Sequence, residues 1–285
     1  MTEASQKPTQ SPQPDVRDEP YGPHEANKLD LWLAKGDKPA PLVIYFHGGG
    51  FYGGDKQDYR PNLLSNCLAA GMAFAAVNYR LSDVAPYPAQ MHDSARAVQF
   101  LRVGADKWGL DPERFAATGG SAGAGISMWL GFHDDLAQPG SDDPLARQST
   151  RLRCMAVYAA QCTYDPRDYA EIAGFPRNST HPALEKFFRL PAGWTYETIS
   201  NDKKLDALTR DSSPITHLTA GDPPVWAIYS RTAEVPGDVH HPNFGRVLKQ
   251  RLDELGIECV LRLWEDYPGE SDADKEMAEF IAKHI

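Results

Sequence analysis

Short apolar runs alternate along this chain with longer amphipathic stretches. Leu29, Leu31 and Leu33 share one face of an extended segment, with Asp30 and Trp32 on the other, which predicts a strand near a sheet edge. The run 41–46 is apolar throughout, as a strand covered on both faces should be. Comparable strands are expected at 72–79, 115–118, 154–160, 225–230 and 259–264. Helices are expected between them: 61–70, started by Arg60-Pro61 and ended by Gly71; 88–108, with Ala95, Val98, Leu101 and Val103 inward; then 122–134, 243–254 and 274–283. Strands alternating with helices predict an α/β fold of three layers, a mostly parallel sheet wound on both faces by right-handed crossovers. Ligands of such sheets bind beyond the carboxyl ends of the strands.

Two segments depart from that rhythm. About sixty residues between the strands at 154–160 and 225–230 carry no strand signal but hold Phe175, Phe187, Phe188, Leu190, Trp194 and Tyr196. Helical pieces are expected near 183–190 and 203–210, and the segment, about 162–215, is read as a small cap over the site. Residues 1–20 are polar and proline-rich and are read as a disordered tail, leaving 21–285 as a single domain. No apolar leader or membrane-length run stands in the sequence, so the expectation is a soluble chain, cytoplasmic as written or secreted with its leader removed.

Composition narrows the partners. The 285 residues are 41% hydrophobic and 24% charged, ordinary for a globular protein, and the net charge of −10 disfavours nucleic acid or an anionic membrane. Cys67, Cys154, Cys162 and Cys259 have no paired spacing and read as buried thiols. No phosphate loop, dinucleotide fingerprint or metal-binding spacing is present, so no cofactor and no metal are expected.

The candidate chemistry lies in two glycine motifs. Gly119-Gly120-Ser121-Ala122-Gly123 follows an apolar strand and opens a helix, which fits G-x-S-x-G, a turn so sharp that its flanks must be small. His47-Gly48-Gly49-Gly50-Phe51 follows the strand at 41–46, and its backbone N–H groups suit a developing oxyanion. Two such motifs in this order, each after a strand, identify the chain as resembling the α/β-hydrolase superfamily. Within it, the chain is similar to HGGG-bearing esterases related to hormone-sensitive lipase and bacterial carboxylesterases, over roughly residues 25 to 285.

That resemblance implies a serine hydrolase acting on a small-molecule carboxylic ester, with a short acyl or aryl group. Ser121 would be the nucleophile, and Gly48, Gly49 and Ala122 would supply the oxyanion hole. The acid is expected after the strand at 225–230, where Glu234 stands before Val235-Pro236, with Asp238 as the alternative. The family's histidine follows the last strand, yet residues 265–274 contain none. Elimination over the nine histidines leaves His241, ahead of His240, on the loop between the acid and the next helix; His181, in the cap, stays open. The competing expectation is a hydrolase-fold binding protein that has lost catalysis. The oligomeric state is left open.

Overall fold

The computed structural model describes residues 12–36 and 39–285. The elements run β1 (Val16–Pro20), β2 (Lys28–Trp32), β3 (Ala40–Phe46), α1 (Pro61–Ala69), β4 (Ala73–Val77), α2 (Ala89–Val103), α3 (Ala105–Trp108), β5 (Leu110–Gly120), α4 (Ala122–Phe132) and β6 (Met155–Tyr158). They continue through α5 (Pro166–Ala173), α6 (Pro182–Phe188), α7 (Tyr196–Asn201), α8 (Lys203–Asp211), β7 (Val225–Tyr229), α9 (Asn243–Glu254), β8 (Cys259–Leu263) and α10 (Glu270–His284).

The strands form one eight-stranded sheet in the order β1-β2-β4-β3-β5-β6-β7-β8. The pairings from β4 to β8 are parallel, while β2 is antiparallel to both β1 and β4. Alternate residues of each strand feed opposite layers. Leu42, Ile44 and Phe46 pack with α2, α4 and α9, whereas Val43 and Tyr45 pack with α1 and α10. Continuously apolar strands are therefore covered on both faces, as their sequence predicts.

Four boundaries differ from the sequence reading. Residues 16–20, placed in the tail, form edge strand β1, with Val16 opposite Leu31 and Glu19 opposite Leu29. Val-Arg-Asp-Glu-Pro has no apolar face to announce it. Its hold comes from the ladder and from Asp18, whose N–H donates to Asp30 Oδ1 at 2.8 Å and whose carboxylate meets Lys56 Nζ at 3.1 Å. The tail expected at 1–11 lies outside the described residues. The helix expected at 88–108 divides at Gly104, and Val103 is 46% exposed instead of inward. The last helix starts at Glu270. The segment after β6 folds as four short helices, α5 to α8, of which α5 and α7 have no signal long enough to read from the sequence. All four cysteines are free and buried.

Candidate active site

The nucleophile candidate sits at the sharpest corner of the fold. β5 ends at Gly120, α4 begins at Ala122, and Ser121 between them holds φ 51° and ψ −119°, a conformation that L-residues rarely adopt. Surrounding structure enforces it: the Ser121 N–H donates to Tyr158 O at 3.0 Å and its carbonyl accepts from Gly125 N–H at 3.0 Å. Gly123 passes so close to β3 that a Cβ there would lie 1.9 Å from Phe46 O. The hydroxyl thus stands beyond the carboxyl ends of the central strands.

The glycine loop after β3 is shaped by three consecutive left-handed residues, Gly49 (φ 98°), Gly50 (φ 61°) and Phe51 (φ 65°). The Gly49 carbonyl accepts the N–H groups of Tyr52 and Gly53, and a Cβ on Gly49 would fall 2.3 Å from Gly53 O. Phe51 tolerates its strained backbone because Ser82 N–H and Oγ–H both donate to its carbonyl and its ring stacks on Phe187 of α6 at 4.1 Å. His47 is structural: its ring stacks on Tyr79 at 4.2 Å, its Nδ1 lies 2.8 Å from Gly48 O, and the Tyr79 hydroxyl donates to its carbonyl.

Gly49, Gly50 and Ala122 line the cavity beside Ser121. Gly48, expected there, instead lies against the elbow, where a Cβ would meet Gly120 O at 2.9 Å. Ala122 is the first residue of α4, so its N–H has no partner within the helix.

The imidazole that meets the serine belongs to His240, whose Nε2 lies 3.0 Å from Ser121 Oγ. His241, favoured from the sequence, faces elsewhere: its Nδ1 accepts the Asn243 N–H at 3.1 Å and so helps to open α9. Neighbouring residues in a tight turn point apart, and only one of the pair can reach the hydroxyl. The turn is built by Asp238, whose carbonyl accepts His241 N–H at 3.2 Å and whose Oδ1 accepts His240 N–H at 2.8 Å.

Across the cavity wall, the Gln161 amide nitrogen donates to Val239 O at 2.6 Å and to Ala159 O at 3.2 Å. Gln161 is buried, at 3% exposure, and no motif marks it in the sequence. Burial pushes the His240 pKa below its ordinary value, opposed by the negative charge of Asp238. The imidazole is therefore neutral near pH 7, with a lone pair available to the hydroxyl.

Glu234 is not brought to that imidazole. It ends a single 3₁₀ turn after β7, and its carboxylate bonds Arg246 of α9 at 2.7 Å with 43% of the side chain exposed. The guanidinium holds its pKa below the usual carboxylate range. Among the described residues the His240 ring makes one protein hydrogen bond, to Ser121. Asp238 is the carboxylate that acts on it, through charge and through its backbone.

The loop after β8 has another task. There Glu265 Oε1 accepts Ser230 Oγ–H at 2.5 Å and Arg231 N–H at 2.8 Å, tying this loop to the one after β7. Burial would raise the Glu265 pKa, but these bonds overcome it and hold the carboxyl at about 2.

The serine opens onto a cavity of about 300 Å³. Phe51, Tyr164, Tyr169 and Leu184 supply its apolar walls, so helices of the post-β6 insertion do border it. His181 also lines it, but as the residue that starts α6, its Nδ1 accepting Ala183 N–H at 3.2 Å.

The chain is 28% identical over 217 residues to the probable carboxylic ester hydrolase LipM of Mycobacterium tuberculosis, a match covering 74% of this chain and 46% of that protein. Over 108 residues it is 38% identical to the carboxylesterase NlhH of the same species, covering 38% of this chain and 33% of that one. It spans about half the length of LipM and of the related esterases LipQ and LipC.

Among solved structures it is similar to a truncated carbohydrate esterase from gut microbiota (TM-score 0.72, 20% identity, 94% of this chain and 95% of that one). The esterase Est2 of Thermogutta terrifontis gives a TM-score of 0.70 at 20% identity, covering 97% and 92%. These likenesses show the α/β-hydrolase fold. The BD-FAE family model matches residues 29–235, the greater part of the chain and both glycine motifs. The protein is a member of the BD-FAE family, an α/β-hydrolase lineage.

Proposed function

We propose that this protein hydrolyses carboxylic esters through an acyl-enzyme on Ser121. The observation that carries the reading is the 3.0 Å contact between His240 Nε2 and Ser121 Oγ at the strained corner. A serine hydroxyl is a weak nucleophile until a base takes its proton, and a neutral imidazole at that distance supplies one.

Ser121 Oγ attacks the ester carbonyl while His240 Nε2 accepts the proton. The amides of Ala122 and Gly49, with Gly50 beside them, receive the oxyanion; each such donor contributes about 3 kcal/mol to the transition state. The imidazolium then protonates the departing alkoxide, and water repeats the sequence on the acyl-enzyme. A cavity of about 300 Å³ with aromatic walls supports short acyl or aryl groups as substrates.

The reading of an impaired binding protein rested on the missing histidine after the last strand, and His240 removes that motive by entering from the previous loop. With a p-nitrophenyl ester, the wild-type chain should give a chromophore burst of about one equivalent followed by turnover, and Ser121→Ala neither. A Ser121→Ala variant that keeps the burst would overturn the reading.

A further inference from the structure

Away from the cavity, three separate elements bring two imidazoles and a carboxylate together. His133 follows the carboxyl end of α4, Asp211 ends α8, and His217 closes a 3₁₀ turn at 214–217 ahead of β7. One ligand atom from each lies within 4.8 Å of the other two. His133 Nε2 is 3.8 Å and His217 Nε2 3.9 Å from Asp211 Oδ1, too far for hydrogen bonds. Around a tetrahedral zinc, nitrogen and oxygen ligands stand about 3.4 Å apart, so each imidazole nitrogen closes on Oδ1 by about half an ångström, while the two imidazole ligand atoms close from at most 4.8 Å.

The outer contacts orient two of the three ligands. His133 Nδ1 lies 2.9 Å from Asp134 O, which makes it the N–H and leaves the Nε2 lone pair facing the carboxylate. The other Asp211 oxygen accepts the Tyr87 hydroxyl, so Oδ1 is the free one. His217 Nε2 donates its N–H to the Asp211 carbonyl at 2.7 Å, so this nitrogen carries the proton and has to give it up and turn away to ligate an ion; the carbonyl then keeps the Trp129 indole N–H at 2.8 Å. A carbonyl behind one imidazole and a hydroxyl behind the carboxylate is the outer arrangement that metal ligands use. All three side chains are partly exposed, which leaves a fourth position open to solvent.

We propose that His133, Asp211 and His217 bind a divalent transition-metal ion of the zinc type, which ties the end of the post-β6 insertion to the helix that starts at the nucleophile. The ion would act as a structural clamp. Spacings of 78 and 6 residues between the ligands match no metal motif, which is why the sequence alone predicts no metal.

The test uses the full chain, free of any affinity tag and stripped with EDTA, titrated with ZnCl2 and followed by calorimetry and thermal unfolding. One equivalent should bind, and saturating zinc should raise the Tm by about 3 °C or more. His133→Ala and His217→Ala should each weaken binding at least about tenfold. His240→Ala should bind as wild type, and CoCl2 should give visible d–d absorption that His133→Ala loses. If circular dichroism shows either alanine variant misfolded, the corresponding glutamine variant is read in its place. Absence of saturable binding, binding unmoved by both variants, or binding lost in His240→Ala would overturn the proposal. None of these readouts depends on ester turnover.

Discussion

Replacing Gln161 by leucine keeps most of the side-chain volume and removes both N–H donors from the loop that carries the base. In the native fold those donors hold Val239 O at 2.6 Å and Ala159 O at 3.2 Å, and Val239 immediately precedes His240. Among the described residues, the Tyr169 hydroxyl, 3.5 Å from Val239 O, is the one other side chain that bonds that carbonyl, and it is too distant to substitute fully. Leaving buried carbonyls without a partner costs about 1–3 kcal/mol, equivalent to a Tm drop of about 2–5 °C in a chain of this size. The larger effect should fall on turnover. Among the described residues no carboxylate bonds the far side of the His240 ring, so its aim depends on the loop backbone, and a misplacement of about 1 Å costs roughly 100-fold. Steady-state hydrolysis of p-nitrophenyl acetate should therefore show kcat reduced about 10- to 100-fold with KM changed less than about threefold, since the apolar walls are untouched. Wild-type kcat in a Gln161→Leu protein with a lowered Tm would refute the reasoning, because the loop would then be held by something else.

The other expectations separate neighbouring residues. His240→Ala should lower kcat by at least about 100-fold, whereas His241→Ala should affect mainly stability; comparable losses in both would show the wrong base has been chosen. Glu234→Gln should leave kcat within about threefold, since its partner is Arg246, and a loss of 100-fold or more would restore it as the acid. Because the base must be neutral to accept a proton and burial lowers its pKa, kcat/KM should rise with pH to a plateau whose midpoint lies below the ordinary histidine value of 6.5; a midpoint above that value would contradict the assignment. Asp30→Ala should destabilise the fold by about 3 kcal/mol in urea titrations, since it strands the buried Lys56 ammonium, now 2.7 Å from the Asp30 carboxylate. A change below about 1 kcal/mol would show that Asp18 alone suffices for that lysine.

The sheet was legible because its strands are apolar on both faces and its helices amphipathic, and the Ser121 corner because only small residues fit beside β3. Edge strand β1 was not legible: its five residues contribute backbone hydrogen bonds and two ion pairs, Asp18 with Lys56 and Glu19 with Lys107, neither of which has a periodicity. The choice between His240 and His241 turns on the direction of side chains within one turn, set by Asp238 and by the opening of α9, which no spacing reveals. Glu234 matched a position in the family pattern, but Arg246, in the first turn and a half of α9, captures it at the surface. Gln161 carries no motif because its function is a contact between two loops 78 residues apart.

Every reactive group assigned to this site precedes residue 242, whereas β8, the loop after it and α10 supply packing, the Glu265 bonds to the loop after β7 and the ion pairs of Glu270 and Asp274 with Arg60. A nick at the turn around Gly256, where an added Cβ would meet nothing within 4 Å, would leave the whole catalytic apparatus on one fragment. The other fragment would then work as a detachable wedge, inserted against β7 and α1, and the appearance of turnover on mixing would report its docking.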